Sequence, residues 1–234
     1  LLAADGGGTV TSWNLDAGTC YTFSGDGKRA RVYATQDSLA HIAVASEDGT
    51  VALWNGRTGE IVNSLRSRGS GAITVLEFSP DDRELSVGHR DGALNTFVIA
   101  DPTESSCIAR ECEGGVNDLA YSPDGRFIIA AVANNAVQQI STQPGKDTPW
   151  TIPLNAEPLA VTYCEQGETI AIGTSTGELQ LWEVATRTRR TTVKAHTSRI
   201  NALSVFRTGR RWRPVVVTVG CSFGTPSPAN GSRR

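Results

Sequence analysis

The stretch V-N-D-L-A-Y-S-P-D-G at residues 116–125 decides how the chain is read. It ends in a tight turn, because Pro123 fixes φ and Gly125 accepts φ > 0. Forty-three residues earlier stands I-T-V-L-E-F-S-P-D-D (73–82), and forty-three residues later stands L-A-V-T-Y-C-E-Q-G-E (159–168). Apolar residues fall at i, i+3 and i+5: Ile73, Leu76, Phe78, then Val116, Leu119, Tyr121. Ile200, Leu203 and Val205 repeat the pattern. Strict alternation would not give this spacing. A β-bulge at the strand start would, because it inserts one residue and restores period two after it.

A second motif repeats in phase. G-G-T-V-T-S-W (7–13), D-G-T-V-A-L-W (48–54), D-G-A-L-N-T-F (91–97), N-N-A-V-Q-Q-I (134–140) and T-G-E-L-Q-L-W (176–182) end at Trp13, Trp54, Phe97, Ile140 and Trp182. The steps are 41, 43, 43 and 42 residues. Between the two motifs lie short β-branched strands with small residues at their ends: 41–46, 84–89, 126–132 and 169–174. A fourth, less regular strand follows the terminal aromatic at 59–65, 106–112 and 189–194. No window of helical length keeps helical spacing with caps. Each unit is therefore read as four antiparallel strands in about 42 residues, the period of a repeat fold.

One such sheet has two faces and cannot bury both alone. Radial stacking of units makes a shared core and leaves short edges around a central channel. In that packing Trp13, Trp54, Phe97 and Trp182 are expected to wedge between neighbouring sheets, and the small residues of the second strand to sit near the crowded inner strands.

Composition narrows the function classes. The 234 residues carry 22 Lys and Arg against 24 Asp and Glu, a net charge of −2 that gives no general pull towards nucleic acid or anionic lipid. No run reaches the roughly 18 apolar residues that span a bilayer. The opening Leu1-Leu2-Ala3-Ala4 has no basic flank and does not read as a signal peptide. The five cysteines Cys20, Cys107, Cys112, Cys164 and Cys221 have neither zinc-knuckle spacing nor an even count. Reduced thiols point to the cytoplasm, with the nucleus as the second setting.

These motifs resemble the WD40-repeat β-propeller family over nearly the whole chain. The family unit ends in Trp-Asp; here the ends are Trp13-Asn14, Trp54-Asn55, Phe97-Val98, Ile140-Ser141 and Trp182-Glu183. The family also builds a buried Ser/Thr–His–Asp–Trp network. Ser46, Asp48 and Trp54 match three of its members, with Lys28 near the histidine position. Asp91 keeps the aspartate role while His89 replaces the serine, Asn134 and Thr176 stand where later units would carry Asp, and His196 matches the family's Gly-His position. The resemblance implies an all-β propeller of four-stranded antiparallel blades, incomplete at five to six blades where seven are commonest. Residues 1–219 hold the blades: a partial one at 1–23, full ones at about 30–65, 73–112, 116–152 and 158–194, and a partial one at 196–219. Residues 220–234 read as an irregular tail. A closed ring of five blades, with the strand at 200–205 completing the opening unit, stays open as an alternative.

Candidate sites are few. Asp48 and Asp91 recur at one phase of a turn and read as structural. His89 reads as structural or as a surface or ligand contact. Three histidines in three units form no metal triad. Asp5-Gly6-Gly7-Gly8 precedes a strand, whereas phosphate-binding glycine turns open a helix. No Ser/His/Asp grouping has a nucleophile-elbow context. The expectation is a protein without catalytic residues, metal or cofactor. The resemblance places partner contacts just before the turn aspartate, at Gly6, Glu47, Arg90, Ala133 and Ser175. Arg207, Arg210, Arg211 and Arg213, with Trp212 among them, are expected in an extended turn and form a possible basic contact. The functional expectation is a protein–protein interaction scaffold within a larger assembly, with no membrane contact. An RNA-associated propeller of a ribonucleoprotein or ribosome-biogenesis complex is the alternative.

Overall fold

The computed structural model describes residues 2–4, 10–14, 18–23, 30–36, 40–100, 108–143, 150–208 and 211–215. Four four-stranded antiparallel sheets dominate it. The first joins β4 (Ala30–Thr35), β5 (His41–Ser46), β6 (Thr50–Asn55) and β7 (Ile61–Arg66). The second joins β8 (Ile73–Phe78), β9 (Glu84–His89), β10 (Ala93–Val98) and β11 (Ile108–Glu111). The third joins β12 (Val116–Tyr121), β13 (Phe127–Val132), β14 (Ala136–Ser141) and β15 (Trp150–Pro153). The fourth joins β16 (Pro158–Cys164), β17 (Thr169–Thr174), β18 (Glu178–Glu183) and β19 (Thr188–Lys194). A three-stranded sheet of β1 (Leu2–Ala4), β2 (Val10–Asn14) and β3 (Thr19–Phe23) precedes them, and a hairpin of β20 (Ser204–Thr208) and β21 (Arg211–Val215) follows. Successive first strands touch, β4 with β8, β8 with β12, β12 with β16 and β16 with β20. They form the inner wall of an all-β partial propeller, and the fourth strands form its rim.

The bulge read from the sequence is present in every full blade. Register slips between Ala30 and Val32, Ile73 and Val75, Val116 and Asp118, and Pro158 and Ala160. The extra residue turns a side chain onto the next sheet. Thr74 Oγ1 donates to Val116 O at 2.6 Å, and Asn117 Nδ2 donates to Pro158 O at 2.9 Å. Asp118 Oδ2 accepts from Val161 N–H at 2.9 Å, a further bond between the third and fourth blades.

Small residues make this approach possible. Ala45, Gly88, Ala131 and Gly173 occupy one position near the end of the second strand. A Cβ on Gly88 would lie 2.8 Å from Val116 Cγ1 and 2.7 Å from Val75 Cγ1. A Cβ on Gly173 would lie 2.6 Å from Ile200 Cγ2. Ile200 thus packs on the fourth blade as Val116 packs on the second, although residues 200–203 are not in a strand as the sequence pattern suggests. Strand geometry begins at Ser204.

The core is shared between sheets. Leu76, Phe78 and Phe97 of the second blade pack with Ala43, Val51, Leu53 and Leu65 of the first. Leu119, Tyr121 and Ile128 pack with Val75 and Leu94 of the second. Of the expected wedges, Phe97 is 1% exposed, while Trp54 and Trp182 are half-buried against the preceding sheet, Trp54 beside Tyr21 and Trp182 in the cluster of Trp150 and Ile170. Trp13 departs from the expectation. It is 36% exposed. The hairpin also answers the five-blade alternative: β20 pairs with β21 and not with β1.

Two outcomes are expected. Gly88→Ala places a methyl group inside the Val75–Val116 contact and lowers stability by about 1–3 kcal/mol in denaturant unfolding; a loss under about 0.5 kcal/mol contradicts this packing. Burial pushes the Asp118 carboxyl up from 3.8 to about 7, against the pull of the Val161 and Leu119 N–H groups. A raised carboxyl favours folding only while protonated, so its contribution is full below about pH 4 and is lost as pH rises to 7. Unfolding free energies of the wild type and Asp118→Asn should diverge over that window by roughly 1 kcal/mol per pH unit, to the disadvantage of the wild type as pH rises. Parallel curves would contradict it.

Candidate protein-interaction face

The turns between second and third strands emerge on one side of the blades, and their main chain is tightly held. Glycines close three of them with positive φ: Gly49 at 82°, Gly92 at 96° and Gly177 at 83°. Gly49 N–H donates to Ser46 O, Gly92 N–H to His89 O and Gly177 N–H to Thr174 O. In the third blade Asn135 takes the left-handed conformation at φ 63°. In the second, third and fourth blades the residue that opens the turn is tied to the loop before its own blade. Arg90 N–H donates to Ala72 O at 2.9 Å, Ala133 N–H to Gly115 O at 2.8 Å and Ser175 N–H to Glu157 O at 2.8 Å. Neighbouring blades lock together here as well, since a Cβ on Gly115 would fall 2.4 Å from Arg90 O.

The side chains proposed as contacts therefore project from a fixed frame, one per blade. Glu47, Arg90 and Ala133 are exposed, and Ser175 is half-buried. Gly6 lies outside the described residues. Asp48 closes its turn by accepting from Thr50 N–H at 3.2 Å and Thr50 Oγ1 at 3.0 Å. Ser46 is buried at the end of β5. In the fourth blade, Thr174 Oγ1 and Thr176 Oγ1 lie 3.0 Å apart, and the half-buried His196 is held through its N–H to Gly177 O.

The second blade carries a polar network that the sequence did not reveal in full. His89 is 1% exposed, so it is no surface contact. Its Nδ1 lies 2.9 Å from Gly71 O, which can only accept, so Nδ1 carries a proton. Nε2 lies 2.6 Å from Ser67 Oγ, and Asn95 Nδ2 donates to the same oxygen at 3.0 Å. The chain of donors runs from Asn95 through the Ser67 hydroxyl to the imidazole and on to Gly71. Relative to the family pattern, the histidine stands on the strand and the hydroxyl on the loop. Gly69 is needed over the ring, where a Cβ would fall 2.4 Å from His89 Nδ1. Asp91 anchors the same loop, accepting from Ser70 N–H, Ser70 Oγ and Gly71 N–H at 2.7, 2.7 and 2.8 Å, and from Ala93 N–H at 3.1 Å. Burial alone would raise its carboxyl, but these bonds outweigh it and hold Asp91 well below the ordinary carboxylate range. Ser67 and Asn95 had no recognisable sequence signal, because they meet His89 only through the turn of the loop.

Among the described residues, no three His, Cys, Asp or Glu side chains are grouped to hold a metal ion, and no helix is long and apolar enough to cross a membrane. The basic cluster differs from the sequence reading. Arg207, Arg211 and Arg213 lie on the paired strands β20 and β21, where Arg207 is opposite Trp212 and Phe206 opposite Arg213. Arg210 is outside the described residues.

Ser67→Ala leaves His89 Nε2 and Asn95 Nδ2 without their shared partner and should cost about 1–3 kcal/mol in denaturant unfolding. The same substitution in a His89→Ser background should cost at least 1 kcal/mol less. Equal costs in the two backgrounds would mean that the hydroxyl and the ring are not coupled.

Comparisons with known proteins agree with this architecture. A family model described as WD domain, G-beta repeat, matches residues 105–139. THO complex subunit 3 of Arabidopsis thaliana is 24% identical over 145 residues, which cover 62% of this chain and 44% of that protein. A chain of the crystal structure of the Mitotic Checkpoint Complex superposes with a TM-score of 0.73 at 21% identity, covering 84% of this chain and 60% of that one. The β-propeller domain of Myceliophteria thermophila Cps50 (Swd1) gives a TM-score of 0.69 at 18% identity, covering 75% and 59%. The present chain thus spans less than half of the curated relative and about three fifths of each solved chain. The fold is that of a β-propeller, and residues 105–139 match the WD-domain repeat within it: with its 42-residue period and bulged four-stranded blades, the chain resembles a degenerate WD40-repeat protein.

Proposed function

We propose that this protein is a non-catalytic scaffold that holds other proteins in a larger assembly through its second-to-third-strand turns. The observation that carries the reading is the repeated tie of Arg90, Ala133 and Ser175 to Ala72, Gly115 and Glu157. It fixes the main chain of these three turns, so their contact residues are presented without a main-chain ordering cost on binding. Two relatives support it by their names, one a subunit of the THO complex and the other a chain within the Mitotic Checkpoint Complex. A reducing setting in the cytoplasm or nucleus belongs to the same reading and rests on the odd count of five cysteines without zinc-knuckle spacing.

The test is affinity purification from cells with quantitative mass spectrometry, comparing the wild type with Glu47→Arg/Arg90→Glu. Partners that copurify with the wild type should fall at least fivefold with the variant while the melting midpoint stays within 2 °C. An unchanged partner set would reject the face. The alternative, an RNA-associated propeller, rests on Arg207, Arg210, Arg211 and Arg213. It requires RNA binding at 50 mM salt that weakens steeply as salt rises.

A further inference from the structure

The near-neutral total charge hides a division along the chain. Residues 185–234 hold eleven of the 22 Lys and Arg residues and none of the 24 Asp and Glu. Residues 1–184 carry all 24 acidic groups against eleven basic ones. The basic part begins with Arg187, just before the rim strand β19, T-R-R-T-T-V-K at 188–194.

β19 is the outer strand of its sheet, paired with β18 on one side and with no strand on the other among the described residues. All seven of its residues are exposed. Other rim strands turn residues inward, Leu65 from β7 and Trp150 and Ile152 from β15. Val193, at the position of the buried Leu65 and Ile152, is 50% exposed. Arg189, Arg190 and Lys194 lie within the strand, and Arg187 stands before it, its guanidinium 5.5 Å from the Trp150 ring. Arg199 is exposed shortly after it. Lys194 Nζ also donates to Thr176 O. The acidic groups on the adjoining strand are Glu178, opposite Lys194, and Glu183, opposite Thr188.

We propose that the open edge of β19 is a docking site for an extended acidic segment of another protein, which adds to the sheet as a fifth strand. Two features select this occupant together. An edge strand offers main-chain donors and acceptors at the spacing of another peptide main chain. Its arginines, lysine and threonines offer charge-assisted hydrogen bonds to carboxylates on alternate residues of the incoming strand. Nucleic acid would answer the charge but would leave the main-chain edge unmatched. A second copy of β19 would match the edge but would bring like charge against like, the device by which basic side chains keep edge strands from self-pairing.

The experiment is fluorescence anisotropy with the full chain and three labelled probes at 50 and 300 mM salt: a ten-residue peptide alternating Glu and Thr, one alternating Glu and Pro, and a ten-nucleotide oligouridylate. The Glu–Pro peptide carries the same charge but lacks half of the N–H donors. The Glu–Thr peptide should bind at least tenfold more tightly than either other probe. Arg189→Glu/Arg190→Glu should weaken it at least tenfold, and Arg189→Gln/Arg190→Gln at least threefold, with unchanged melting midpoints. Equal binding of the two peptides, tighter binding of the oligouridylate, or affinity indifferent to both double variants would each overturn the proposal.

Discussion

The inner strand of each blade lies so close to the second strand of the blade before it that one position tolerates only glycine or alanine. Ala45, Gly88, Ala131 and Gly173 hold that place, and the Val116 and Ile200 side chains occupy the space a larger residue would need at Gly88 and Gly173. Towards the rim the spacing between sheets is filled instead by large rings: Phe97, Trp54, Trp182 and Trp150. Small residues inside and bulky residues outside make each boundary a wedge. Repeated wedges turn a stack of flat sheets into a radial array, which is how this architecture buries both faces of a sheet without leaving long edges. Every other feature, including the alignment of the turns on one side, follows from that taper.

The bulge serves the same boundary. It supplies the extra residue whose side chain crosses to the next sheet, as Thr74 and Asn117 do, so polar atoms at the narrow end of the wedge are bonded to main chain instead of being left buried and unpaired. Asp118 is the expensive member of this set. Its two N–H partners offset only part of the cost of removing a carboxylate from water, and its raised pKa records the balance. The inter-blade seam of the third blade is therefore the place where protonation and blade docking are coupled.

What was legible in the sequence was whatever repeats. Strand spacing, turn residues and the i, i+3, i+5 pattern all recur at one phase, so the blades and their bulges could be read from residues alone. What was not legible depends on a neighbour. Trp13 has the same local sequence context as Trp54, yet Trp13 is 36% exposed while Trp54 is half-buried beside Tyr21. Ile200 has the pattern of a strand start and makes the expected contact through Gly173, but without strand hydrogen bonds at that point. The His89 network escaped notice for a different reason. Its partners Ser67, Gly71 and Asn95 come from 22 and 18 residues upstream and from the adjoining strand, so no short motif contains them. A family signature built on one order of Ser and His does not register the exchange.

Main chain and side chain have separate duties at the turn face. Ties from Arg90, Ala133 and Ser175 to the preceding loops satisfy the main chain, and Gly115 makes room for one of those turns against the next blade. Since none of this uses the side chain of the opening residue, Glu47, Arg90, Ala133 and Ser175 can differ in size and charge on one frame. The rim behaves in the opposite way. There the main chain of β19 keeps an open edge while its side chains carry a single sign of charge. A rigid frame with variable side chains selects among partners by their surface chemistry. An open edge with uniform charge selects by main-chain extension and sign. The two proposed surfaces differ in the property they select, so under these proposals one chain holds two unlike partners without their competing for the same contacts.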